Sequence, residues 1–295
     1  MRPLVLLLLV TVAFASCKKD SGSPGSSTPV TPTDTIPPPP PSTGALADND
    51  HMLFGNPGNA AAITDSFNNY LMRKDYYATS YSRTRGIPNW VSWHLNTSSI
   101  GTTNRQDNFR PDDKLPAGWY RVHENSYSSS GFDRGHNCPS GDRTSSLAAN
   151  SATFLMTNMI PQAPKQNQGV WNSFEEYLRS EVKKGQEVYI IMGNYGKGGT
   201  GSKGFTSTID NGKVTVPAFT YRLALFLPNG NNDTARITTS SRVIAINIPN
   251  NNSVGTNWRS YRVSVDALEA ITGLDFFSRI VDEVEPILEA KVDDL

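Results

Sequence analysis

The chain has 295 residues, with 27 Lys+Arg against 27 Asp+Glu and charged residues at 18%. A formal charge of zero excludes a generally basic protein that coats nucleic acid, and 37% apolar residues exclude a chain that is disordered throughout. Two cysteines, Cys17 and Cys138, are too few for a disulfide scaffold or a four-cysteine zinc site.

Residues 1–16 read as a signal peptide. The apolar run from Leu4 to Ala15 suits an export segment and is too short to span a bilayer as a finished helix. Phe14-Ala15-Ser16-Cys17 resembles a bacterial lipobox, which implies cleavage before Cys17 and a lipid on its sulfur, with ordinary secretory cleavage nearby as the alternative. Lys18-Lys19-Asp20 resembles the charged tag behind the lipidated cysteine of some surface-exposed lipoproteins. Residues 17–47 hold eight of the 20 prolines among Ser, Thr and Gly, so they form a semi-extended tether. The expectation is a globular part, residues 48–295, anchored to a bacterial outer membrane through Cys17, with no transmembrane helix in the mature chain. A secreted or periplasmic protein is the alternative, and the oligomeric state stays open.

Within the globular part, Ala60–Tyr70 reads as a short helix or turn. Tyr76–Tyr81 and Pro88–Leu95 are rich in aromatic and β-branched residues and read as strands. Asn167–Lys184 is the clearest helix, with Val170, Trp171, Phe174, Leu178 and Val182 at core spacing and Gly185 as its stop. Glu187–Met192, Ala218–Leu227 and Arg242–Ile248 follow as apolar strands, and Ser264–Thr272 as a last helix. Without a βαβ rhythm or an internal repeat, this order predicts one α+β domain built on antiparallel sheet.

Chemistry concentrates in Asp133-Arg134-Gly135-His136. A turn at Gly135 after a strand would present Arg134 and His136 to the same side, a cation beside a proton acceptor. Such a pair suits attack on a phosphate, although a solvated Arg-His surface pair is the blander reading. Asn167, Trp171 and Glu175 are spaced four and four, which would place an amide oxygen and a carboxylate on one helical stripe. Hard oxygens of this kind suit a hydrated Mg²⁺; the plainer reading is a helix cap and a solvent-facing acid.

Together, Asp133-Arg134-Gly135-His136, Thr157-Asn158-Met159-Ile160-Pro161-Gln162, Asn167-Gln168-Gly169-Val170-Trp171 and Glu175 resemble the DNA/RNA non-specific endonucleases, whose active site is a ββα-metal finger. The resemblance continues through Tyr221-Arg222, Ile246-Asn247-Ile248-Pro249-Asn250 and Val263-Ser264-Val265-Asp266, and so covers most of residues 50–280. It implies a general base at His136, a single direct ligand of Mg²⁺ (or Mn²⁺ as a substitute) at Asn167, and a water-orienting carboxylate at Glu175. Phosphate-stabilising cations are implied at Arg134 and Arg105, and a residue supporting the metal and the catalytic loop at Asn158. DNA and RNA are the implied substrates, cut to 5′-phosphate ends.

Other residues take structural readings: Cys138 as a lone thiol, His94 and His123 as structural or exposed, Trp171 and Phe174 as helix core, and Gly193–Gly204 as a flexible loop. Two alternatives to the nuclease stay open: a surface lipoprotein that binds nucleic acid without cutting it, and a hydrolase of smaller phosphodiesters. The neutral charge is also a sum of unlike parts. Residues 266–295 carry nine acids against two bases, which leaves residues 17–265 with six more bases than acids. Turnover on a phosphate chain should therefore weaken as salt rises.

Overall fold

The computed structural model describes residues 46–295. The expected signal segment and nearly all of the tether lie outside the described residues. Among the described residues no helix is long and apolar enough to cross a membrane.

The strands of the central sheet are β1 (Tyr70–Arg73), β2 (Ala78–Ser82), β3 (Ile87–Leu95), β6 (Gln186–Tyr195), β7 (Phe219–Pro228), β8 (Arg242–Pro249) and β9 (Arg262–Val263), and they pair antiparallel in that order. Strands β4 (Asp133–His136) and β5 (Met159–Gln162) form a separate antiparallel pair. Helix α1 is Leu147–Ala152, α2 is Asn172–Lys183, α3 is Val265–Thr272 and α4 is Glu285–Glu289. The α+β reading and the expected apolar strands therefore hold, each within a few residues. Ala60–Tyr70 is a series of turns.

Both faces of the sheet are covered, which explains why its inner strands read as nearly unbroken apolar runs. Successive side chains of a strand alternate between faces. In β7, Leu223, Leu225 and Leu227 pack on Phe54, Phe276 and Leu288, whereas Ala224 and Phe226 face Trp171, Phe174 and Leu178. Arg222 shares the second parity and so projects beneath α2. At Gly193 the sheet needs glycine, since a Cβ there would collide with the hydroxyl of Tyr221, its partner across β6 and β7.

Three expectations change. Gly135 lies inside β4 rather than in a turn, and it is glycine because a Cβ would strike the Gln162 side chain of β5. The predicted helix from Asn167 begins as a π-helical turn, Gln166–Trp171, before α2. Its wider period removes the four-and-four stripe: Trp171 is buried in the core, while Asn167 and Glu175 are reached by different means. Finally, Gly193–Gly204 is no loose loop, because it finishes β6 and then pairs Gly199–Gly201 with Gly204–Thr206.

His94 is structural as expected, 4% exposed with its Nε2 2.9 Å from Glu187 Oε2, and His123 is exposed. A fourth histidine, His51, fastens the segment before β1: Nδ1 accepts the His94 backbone N–H (3.3 Å) and Nε2 faces the Asp75 carbonyl (3.2 Å). Both contacts need the neutral ring with its proton on Nε2. Burial first, then the Arg143 charge, holds its pKa down to about 4. Below an ordinary 6.5 the unfolded chain takes up a proton that the folded chain refuses, so this contribution is complete above pH 6.5 and is lost as pH falls toward 4. Urea unfolding at pH 7 and pH 5 should show His51→Gln losing about 2 kcal/mol less than the wild type on acidification. Equal losses in both proteins would show that His51 does not carry the effect.

Candidate active site

Strands β4 and β5 and the helix that follows make a ββα unit on one face of the sheet, and the predicted residues converge on it. Register sets Asp133 opposite Gln162 and His136 opposite Met159. The chain leaving β5 is held when Ala163 N–H donates to Asn250 Oδ1 (2.8 Å), and Asn167 N–H donates back to Ala163 O (2.9 Å), starting the π turn.

His136 sits at the end of β4 against two phenylalanines. Its ring centroid is 5.5 Å from Phe109 and 5.0 Å from Phe154, the latter edge-on at 87°. The same two rings carry both candidate arginines: Arg134 Cζ lies 4.0 Å from the Phe109 centroid and Arg105 Cζ 4.9 Å from Phe154. A guanidinium over an aromatic face is attracted by the ring's negative potential. The two phenylalanines pack on each other at 4.9 Å and against the imidazole, and each seats one of the two arginines. Arg105 is further fixed by Asp107 Oδ1 (2.6 Å) and Ser140 Oγ (3.0 Å). His136 Nε2 is buried without a hydrogen-bond partner. Burial, then Arg105 and Arg134, pushes its pKa down to about 3, so the ring is neutral at neutral pH.

Asn167 lines the same cleft as Arg105, Arg134 and Asp133. Its Nδ2 and the Gln168 Nε2 both donate to Asp133 Oδ2, at 2.8 Å each. An ionised carboxylate only accepts hydrogen bonds, so the amide nitrogen must face Asp133 and the carbonyl oxygen is the group left for a cation. Asp133 is therefore an orienting residue that sequence reasoning placed in the motif without assigning it a task.

Glu175 is anchored from below. Its Oε1 accepts from Arg222 Nη2 at 3.1 Å, and its Oε2 lies 3.8 Å from Arg179 Nη1. Arg179 also pairs with Asp142 at 2.9 Å, and Asp142 accepts from Trp93 Nε1 at 3.0 Å. Arg222 is fully buried between Trp93 (5.3 Å) and Trp171 (4.6 Å), and donates as well to Asn137 O (3.1 Å). Burial raises the Glu175 carboxyl and the two arginines oppose that rise. Glu176 is exposed and receives Asn172, which separates the two acids clearly. Arg179 was legible as the partner four residues beyond Glu175. The signal for Arg222 was a lone charge inside an apolar strand.

Asn158 sits behind the loop that follows His136. It is fully buried and spends its side chain on main chain, donating to Cys138 O (2.9 Å) and Thr153 O (2.8 Å) and accepting from Cys138 N (3.0 Å). Its backbone carbonyl receives Asn137 twice. It pins the loop behind His136 and has no atom free for a metal. Cys138 is a buried free thiol, pushed up to about 12 by burial, and so is no nucleophile.

The donors present suit a hydrated hard cation: one amide oxygen on the lining of the cleft, a carboxylate held on the helix that follows, and no thiolate or imidazole cluster in that lining that would select a soft metal. The sequence profile of the DNA/RNA non-specific endonucleases matches residues 55–283. A nuclease of Nostoc sp. (strain PCC 7120) is 47% identical over 243 residues, 82% of this chain and 86% of the relative. Nuclease C1 of Cunninghamella echinulata var. echinulata is 31% identical over 238 residues, 78% of this chain and 88% of the relative. The crystal structure of EndoG in the EndoG/EndoGI complex superposes with a TM-score of 0.63 at 23% identity, covering 79% of this chain and 92% of that one, which shows the shared fold. The chain belongs to the DNA/RNA non-specific endonuclease family, and its enzymatic class is that of an endonuclease, a hydrolase of phosphodiester bonds.

Proposed function

We propose that the protein is an exported, lipid-anchored, Mg²⁺-dependent endonuclease that hydrolyses DNA and RNA without sequence preference, leaving 5′-phosphates. The observation that carries this reading is the neutral His136 packed on the two phenylalanines that seat Arg134 and Arg105, arginines that line a cleft together with Asn167. Asn167 would hold Mg²⁺, with Mn²⁺ as a substitute. When bound, the ion supplies Lewis-acid stabilisation of the phosphate and of the departing 3′ oxygen.

This chain's residues supply the rest. His136 Nε2 is closed off from solvent, so the ring takes the proton of the attacking water at Nδ1. Arg134 and Arg105, each seated over one of the phenylalanines beside the ring, stabilise charge gathering on the phosphate. Glu175, locked by Arg222 and Arg179, orients water near the cation. Asn158 keeps the loop after His136 in place. The cleft offers cations and amides rather than a helix aimed at base edges, in keeping with reading backbone and not sequence.

Purified protein should degrade both plasmid and RNA with Mg²⁺, stop when EDTA is added, and leave ends that ligase joins without prior phosphorylation. Protein that binds DNA but leaves it intact across several divalent metals would favour a binding lipoprotein instead. For the anchor, Cys17→Ser is expected to move the protein from the membrane fraction to the soluble one. Unchanged membrane association would end that part of the proposal.

A further inference from the structure

The acidic end of the chain forms a second carboxylate site, remote in sequence from the residues of the cleft. Asp266 and Glu269 on α3, Asp275 in the following loop, and Glu285 and Glu289 on α4 converge there. Ligand oxygens of Asp266, Glu269 and Glu289 lie within 4.8 Å of one another, as do those of Asp275, Glu285 and Glu289. Glu289 belongs to both groups.

The acids at the rim would mean little alone, since exposed carboxylates are common. Glu289 is different: it is 7% exposed, and its Oε1 is buried without a hydrogen-bond partner. The ion pairs that secure this end of the chain go elsewhere, to Asp293 from Arg242 (2.6 Å) and Arg262 (3.2 Å). Among the described residues no lysine or arginine pairs with any of the five. A buried carboxylate surrounded by carboxylates, with no cation from the protein, is strongly disfavoured. Burial, then Glu269 and Glu285, raises Glu289 to about 8, so in the absence of a cation it holds a proton that a bound cation would displace.

We infer that this cluster is a calcium site centred on Glu289, joining α3 and the Asp275 loop to α4. Oxygen-only donors select a hard cation. Calcium accepts about six to eight oxygens in flexible geometry, whereas Mg²⁺ demands near-ideal octahedral geometry and usually keeps several waters beside one or two carboxylates. Five carboxylates gathered around one buried member supply more protein oxygens than Mg²⁺ usually takes. Since α3 and α4 both pack on the sheet through Leu268 and Leu288, such an ion would clamp the C-terminal segment against the core. The site is independent of the cleft's activity.

The test measures thermal unfolding of the full chain, in EDTA and then with about 5 mM Ca²⁺ or Mg²⁺. Asn167→Ala serves as the background, so that the cleft cannot report. Calcium is expected to raise the midpoint by roughly 5 °C if the site binds in the range of about 10⁻⁴ M usual for extracellular modules, and magnesium by clearly less. Glu289→Gln should abolish the calcium shift while unfolding in EDTA at about the same temperature, because the amide replaces a carboxyl that is already neutral without a cation. Exposed Asp266→Asn gives the same readout without touching a buried position. No calcium shift in the Asn167→Ala protein, or a shift that Glu289→Gln and Asp266→Asn both retain, would overturn the site.

Discussion

Replacing His136 with alanine is expected to lower kcat on plasmid and RNA by roughly 10²–10⁴-fold, the range for loss of a positioned general base. KM should change little, because Arg134 and Arg105 stay anchored by Phe109, Phe154, Asp107 and Ser140. The environment of the imidazole also sets a pH signature. Burial and two guanidiniums hold its pKa down to about 3, so the base remains neutral well below the ordinary histidine range. The acid limb of kcat/KM, which reports the free enzyme, should therefore lie far below pH 6.5. Acidification acts on the fold first: the unfolded chain gains a proton near 6.5 that the folded site excludes, so stability declines as pH falls while the base is still competent. A limb near 6.5 that tracks catalysis and not unfolding, or a His136→Ala protein keeping more than about a tenth of wild-type kcat, would remove His136 from the base role.

How much of this could be read from the sequence differs by residue, for physical reasons. His136 and Arg134 were legible because two residues of one strand separated by a single position must share a face, and both do lie against Phe109. Phe109 and Phe154 were not, since they come from separate segments that meet only when Arg110 and Phe154 exchange a backbone hydrogen bond. The helix after β5 was visible in its apolar spacing, but its π turn was not: a five-residue hydrogen-bond period leaves no clear mark in side-chain chemistry. Gly135 announced a special backbone position, and the fold uses it for lack of a side chain, not for a turn. Asn158 was legible only as a supporting residue, because an amide can serve a site in several ways, and its full burial among the Cys138 and Thr153 carbonyls shows that it does so by holding main chain. The acidic tail was countable as charge, while the convergence of its carboxylates on Glu289 depends on how α3 and α4 pack.

Arg222 carries the second large effect, through Glu175. Its guanidinium lies between two indoles, fully buried, with Nη2 shared between Glu175 Oε1 and Asn137 O. Arg222→Met keeps most of the volume and removes the charge, which leaves the Glu175 carboxylate with Arg179 at 3.8 Å as its remaining pair. Breaking a buried pair from one side destabilises by about 3–5 kcal/mol, so the unfolding midpoint should drop by roughly 10 °C. Activity should fall as well, since Glu175 either takes up a proton or swings toward Arg179, and in both cases ceases to orient water. Adding Glu175→Gln separates the two consequences: the amide needs no counter-charge, so the double variant should regain much of the stability and none of the activity. A double variant less stable than Arg222→Met, or a fully active Arg222→Met protein, would mean that Arg222 supports the sheet and not the carboxylate above it.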